Sequence, residues 1–176
     1  MKRKVYFVLI STIFVSLSIV RYNQINNRYP NPMIVQCAIG DTCTCFNAEI
    51  EVISGRFLSY TDLDEESILR TEVNSDMTVL EVQIRLTANE ETQIPLNRMA
   101  AQNGLMCNNP MYIMMLELYN GTRIEMEKGE EKEVTLFYSF DQNAYYSKDW
   151  DRMKYQKWNI EIVDTYPYRF LMEIPL

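Results

Sequence analysis

Thr78-Val79-Leu80-Glu81-Val82-Gln83-Ile84-Arg85-Leu86-Thr87 decides the fold class of this chain. Leu80, Val82, Ile84 and Leu86 fall on one side of an extended segment, and Val79, Glu81, Gln83 and Arg85 on the other, because side chains along a strand alternate between faces. In a helix the polar residues would gather at 3.6-residue spacing, and here they never do. The segment predicts a half-buried antiparallel strand with one wet face.

The same alternation recurs on both sides. Residues 46–54 set Ala48, Ile50 and Val52 against Asn47, Glu49 and Glu51. Residues 132–140 set Val134, Leu136, Tyr138 and Phe140 against Glu133, Thr135, Phe137 and Ser139, while Trp158, Ile160 and Ile162 alternate with Asn159 and Glu161. Residues 168–174 read as a final strand stopped by Pro175. Residues 112–119, apolar on both faces until Glu117, read as a central strand. With shorter pieces at 56–59, 92–96 and 123–127, the chain has seven to nine strands. That pattern predicts an all-β fold, an immunoglobulin-like antiparallel β-sandwich. Helix is expected to be scarce: Thr61-x-x-Asp64 offers a cap for one short helix running through Leu69, and Ser147 offers a second before Lys148-Asp149-Trp150-Asp151.

Residues 5–20 are the only sustained apolar run, uncharged, introduced by Lys2-Arg3-Lys4 and closed by Arg21. As a helix they would cover about 24 Å, slightly under the roughly 30 Å hydrocarbon core, and Lys4 and Arg21 can snorkel to make up the difference. The expectation is an N-terminal signal anchor over residues 1–21, a transmembrane helix with its N-terminus cytoplasmic and the rest of the chain extracytoplasmic. The alternative is a cleaved leader and a secreted protein. Residues 22–33, polar with Pro30 and Pro32, predict an extended stalk, and residues 34–176 a single extracytoplasmic domain.

Composition narrows the partners. Four of the seventeen basic residues and none of the twenty-four acidic ones lie in residues 1–21, so residues 22–176 carry 13 basic against 24 acidic groups, a formal charge of −11. Such a domain repels a phosphate backbone, which argues against nucleic acid, and it has no polybasic grip on anionic lipid. Contact with the bilayer is expected through residues 5–20 alone. Histidine is absent, which excludes Ser-His-Asp and Cys-His nucleophilic systems and histidine-ligated zinc. There is no Gly-rich phosphate loop, and the acidic cluster Asp62, Asp64, Glu65 and Glu66 lacks the spacing of a calcium loop.

The stretch Met126-Glu127-Lys128-Gly129-Glu130-Glu131-Lys132-Glu133-Val134-Thr135-Leu136 resembles the lead-in to a late strand of immunoglobulin-like domains in exported Gram-positive proteins, with Lys128 where proline is common. Arg28-Tyr29-Pro30-Asn31-Pro32 after an anchor, then Ile39-Gly40, Phe57-Leu58 and Ser147-Lys148-Asp149-Trp150, are similar to a family of uncharacterised single-pass membrane-anchored proteins of Gram-positive bacteria. The resemblance implies an extracytoplasmic immunoglobulin-like β-sandwich and carries no functional residue across. The four cysteines depart from it.

Those cysteines, Cys37, Cys43, Cys45 and Cys107, allow three pairings in an exported chain. A Cys43–Cys45 bridge is strained, because extended neighbours two apart stand near the upper limit of disulfide reach. Cys37 is therefore expected to pair with one of the two and Cys107 with the other. In the chain-entropy account a loop of about sixty residues closed through Cys107 contributes roughly 4 kcal/mol. Two alternatives stand beside the bridges. Met99, Met106, Met111, Met114 and Met115 surround Cys107 in sequence, a soft donor set suited to Cu(I), and four thiolates suit zinc, although the single residue between Cys43 and Cys45 departs from the usual spacing.

A second candidate is an interaction surface. Tyr145, Tyr146, Trp150, Tyr155 and Trp158 crowd together with Lys148, Arg152, Lys154 and Lys157, and aromatic residues beside cations are enriched in binding hot spots. Equally, the two tryptophans can complete the sandwich core while the charges face water. No catalytic, cofactor-binding or metal-ligating residue is assigned, and no cofactor is expected. The leading expectation is a membrane-tethered, non-enzymatic binding or accessory module that meets a membrane or cell-envelope protein. A soft-metal (copper or zinc) or thiol-dependent protein, and a carboxylate-dependent hydrolase, are the alternatives.

Overall fold

The computed structural model describes residues 2–29, 31–64, 67–165 and 167–176, with side chains omitted for residues 2–10. The chain divides into two compact units, Met1–Met33 and Ile34–Leu176.

In the first unit one helix, α1, runs Lys2–Arg28. It extends past the apolar run into residues 22–28, which the sequence reading places in an extended stalk. No glycine or proline interrupts residues 2–29; the first proline in the chain is residue 30, and a proline disfavours helical geometry in the residue before it. Among the described residues no helix is long and apolar enough to cross a membrane. The expected anchor rests in part on residues 5–10, whose side chains lie outside the described set.

The second unit is a β-sandwich. Its strands are β1 (Met33–Cys37), β2 (Thr42–Cys45), β3 (Ala48–Ser59), β4 (Met77–Ala88), β5 (Thr92–Pro95), β6 (Met99–Gln102), β7 (Cys107–Asn108), β8 (Arg123–Met126), β9 (Glu131–Asp141), β10 (Asn159–Val163) and β11 (Tyr168–Glu173). One sheet has the order β1-β11-β10-β6-β7, the other β2-β3-β4-β9, and β5 pairs with β8 in a separate ribbon. These eleven strands exceed the seven to nine expected, because β1, β2, β6 and β7, two to five residues each, are too short to announce themselves by alternation.

The quoted stretch lies in β4, which is central in its sheet and antiparallel to both β3 and β9, with Ile84 opposite Val52 and Val134. Leu80, Val82, Ile84 and Leu86 are fully buried between the sheets. The register of β3 shifts between Val52 and Ser54. This bulge returns Gly55 and Phe57 to the inward face opposite Val82 and Leu80, so the 46–54 and 56–59 pieces become one strand. Trp158 packs edge-on against Phe140 at 4.9 Å and Phe57 at 5.7 Å, and its indole N–H donates to the Met153 carbonyl at 2.8 Å. Tyr138 spans the two sheets, its hydroxyl donating to the Met99 carbonyl at 2.9 Å.

Residues 112–119 form α3 (Tyr112–Tyr119), a helix where a strand is expected. Leu, Met and Glu favour helix, and a run apolar on every face carries no period to tell the two apart. Asn120 ends it in the left-handed region at φ 55°, its amide bonded to the Leu116 carbonyl at 2.9 Å. Met114 of α3 and Leu69 of α2 (Ile68–Glu72) cover Val79 on the outer face of the four-stranded sheet, forming a small second core with Leu63 and Val73. The cap of α2 is Ser67, whose hydroxyl accepts from the Arg70 amide at 3.3 Å, rather than Thr61, which sits in a 3-10 turn. Of the acidic cluster there, Glu65 and Glu66 lie outside the described residues. The second expected helix is present as α4 (Ser147–Trp150), with Tyr146 at its cap position.

Candidate functional site

The sandwich brings sulfur together at one of its lateral edges. Cys43 and Cys45 are alternate residues of β2, so both side chains point inward, and both are buried. Their Sγ atoms are 3.8 Å apart, and the Cys43 thiol donates to Sδ of Met172 on β11 at 3.2 Å. The contact joins the edge strand of one sheet to the penultimate strand of the other. Cys37 is half-buried on the neighbouring edge strand β1, near enough to Cys43 to feel its charge.

Ionisation is unequal within this group. The hydrogen bond with Cys45 lowers the pKa of Cys43, while the same bond, reinforced by burial, raises that of Cys45. Burial, then the negative charge around Cys43 and Asp41, raises Cys37. The Asp164 carboxylate acts on both Cys43 and Cys45.

Cys107 stands apart. It lies exposed on β7, and the neighbouring Asn108 amide hydrogen-bonds to the Ser139 carbonyl of β9. β7 and β9 form one edge of the sandwich, and β1 and β2 the other. The expected bridge from Cys107 to Cys43 or Cys45 would have to cross the width of the sheets, far beyond disulfide reach. All four cysteines are free thiols in the structure, and Cys37 is the one placed beside Cys43.

The methionines expected around Cys107 do not gather there. Met99, Met106 and Met115 are buried in the main core, and Met114 belongs to the second. Met106 points inward as its neighbour Cys107 points out, as alternation on a strand requires. Among the described residues no three His, Cys, Asp or Glu side chains are grouped to hold a metal ion, so the four-thiolate zinc site is not assembled. Met172, which touches Cys43, is the ligand type that sequence reading passed over. It lies 129 residues away.

The aromatic group divides by depth. Trp158 is 0% exposed and belongs to the core, and Tyr145 and Trp150 pack half-buried against it. Tyr146 and Tyr155 are 78% and 89% exposed, on the helical excursion between β9 and β10. Lys148, Arg152 and Lys154 on the same excursion are exposed with no ion pair among the described residues, while Lys157 pairs with Glu173 at 3.1 Å. This places aromatic rings beside exposed cations, interleaved with Asp149 and Asp151, on a domain that is otherwise acidic.

No family model matches the chain, and no curated protein matches it. Solved structures do. An uncharacterised β-sandwich protein of Clostridium difficile is similar with a TM-score of 0.49 and 10% identity, over 81% of this chain and 95% of that one. YjhA of Bacillus subtilis gives 0.49 and 11%, over 78% and 99%. A candidate lipoprotein of the same organism, YcdA, gives 0.45 and 12%, over 76% of this chain and 38% of its own.

Proposed function

We propose that this protein is a membrane-tethered, extracytoplasmic binding module without catalytic activity, with an immunoglobulin-like body. It presents the excursion between β9 and β10 to an acidic segment of a membrane or cell-envelope protein. The observation that carries the reading is the exposure of Tyr146 and Tyr155 beside the exposed cations Lys148, Arg152 and Lys154. Large aromatic residues are costly to expose without purpose, and they dominate interface energetics when covered. Cations there meet an acidic partner without the repulsion that the rest of the acidic domain imposes. The tether is residues 5–20, flanked by Lys2-Arg3-Lys4 and Arg21.

A photo-crosslinking residue placed at position 155, in the full chain in intact cells, tests this. Capture of one defined protein from position 155, lost when Lys148, Arg152 and Lys154 are all changed to Glu, is the expected result. The same probe at Gln83, exposed on the outer face of β4, is expected to capture nothing. Equal capture from both positions, or survival of the body in cells treated with external protease, would contradict the reading.

A further inference from the structure

We propose that Cys43, Cys45 and Met172 form a binding site for one soft monovalent metal ion of the Cu(I) class. Three sulfurs each about 2.3 Å from a single ion stand about 4 Å from one another. Cys43 and Cys45 are 3.8 Å apart. Met172 is 3.2 Å from Cys43, and its unbranched side chain can open that gap by a small rotation.

The donors are held independently of any ion. Cys43 and Cys45 are fixed by the register of β2 against Ile50 and Ala48 of β3, and Met172 by its place opposite Ile160 of β10. The site therefore needs little ordering on binding, which favours affinity. Its chemistry selects the ion class. Thiolate and thioether sulfur prefer Cu(I), whereas hard divalent ions need oxygen ligands and structural zinc needs four nitrogen or thiolate donors.

Cys43 and Cys45 both give up their protons to solvent when the ion binds, because the thiolate and not the thiol is the ligand, and Met172 donates as a neutral group. Cys37, half-buried beside Cys43, is the path by which an ion passes from solvent to the inner sulfurs.

The test uses the full chain, reduced and solubilised, titrated with Cu(I) against a chromogenic Cu(I) chelator. One equivalent retained per chain with an all-sulfur shell by X-ray absorption is expected. Met172→Leu conserves volume and should keep the fold, and it should weaken retention by more than the roughly 10–100-fold that loss of an outer-shell partner costs. Cys43→Ser should abolish retention and Cys107→Ser should leave it unchanged. Failure of the reduced chain to hold Cu(I), or retention unaffected by both Met172→Leu and Cys43→Ser, overturns the proposal.

Discussion

Tyr119 closes the outer edge of β9 through a single residue, Thr135: its hydroxyl accepts from the Thr135 amide at 2.7 Å and donates to the Thr135 carbonyl at 3.0 Å. β9 is the last strand of its sheet, and an uncovered edge is a template for pairing with another chain. The Met111 amide bonds to the Phe137 carbonyl at 2.7 Å, and the Asn108 amide side chain bonds to the Ser139 carbonyl. α3 and the segment leading into it thus hydrogen-bond alternate residues of that edge. Tyr119→Phe removes one donor and one acceptor and leaves two half-buried backbone groups unpaired. A loss of about 1–3 kcal/mol in urea unfolding is expected, together with concentration-dependent association by light scattering that the parent chain does not show.

Gly55 is required for a steric reason. A Cβ there would fall inside the Ile174 side-chain methyl and 3.1 Å from Leu176, because the Gly55 amide holds the C-terminal tail by a 2.8 Å bond to the Pro175 carbonyl. Gly55→Ala is expected to destabilise by about 1–3 kcal/mol, the usual cost of overpacking. Combined with Ile174→Ala, which removes the clashing methyl, the loss should be less than the sum of the two single changes. Strict additivity in this double-mutant cycle would refute the contact.

Burial raises the pKa of Tyr138 well above the ordinary 10. In the unfolded chain the phenol ionises from about pH 10, while in the folded sandwich it keeps its proton. The unfolded state then binds fewer protons, so stability present below pH 10 falls as pH rises, by up to about 1.4 kcal/mol per pH unit for one proton. Tyr138→Phe should be less stable at pH 7, through the lost bond to Met99, yet should show a shallower decline between pH 10 and 11.5. An unchanged alkaline slope in that variant would show that other groups carry the transition.

How far the sequence led depends on period. β4 and β9 were legible because their polar residues fall strictly on alternate positions, and Trp158 could be placed in the core as readily as on the surface. α3 was not legible, since seven of its eight residues are apolar or aromatic and helix and strand then look alike. β6, Met-Ala-Ala-Gln, is held by its pairing with Ile160 and Ile162 rather than by its own propensity. Alternation placed Cys43 and Cys45 on one face, but only the sheet order could bring Met172 to them and carry Cys107 away. Tyr155 was separated from the buried Trp158 by the turn at residues 153–155, where the Met153 carbonyl anchors the indole.

Arg85 sits among three carboxylates on the wet face of the four-stranded sheet, 2.9 Å from Glu51, 3.0 Å from Glu133 and 3.4 Å from Glu131. Glu51 and Glu133 lie directly opposite it on β3 and β9. Its pKa is raised first by hydrogen bonding to Glu133, with the charges of all three carboxylates adding. Arg85→Met keeps much of the side chain's length but leaves the three carboxylates facing one another across the sheet, where like charges destabilise. The midpoint of urea unfolding should fall at low ionic strength and recover as salt is raised, since a Debye length of about 8 Å at physiological ionic strength screens exposed charges. A deficit equally large at high salt would mean that packing of the Arg85 stem, not its charge, holds the three strands in register.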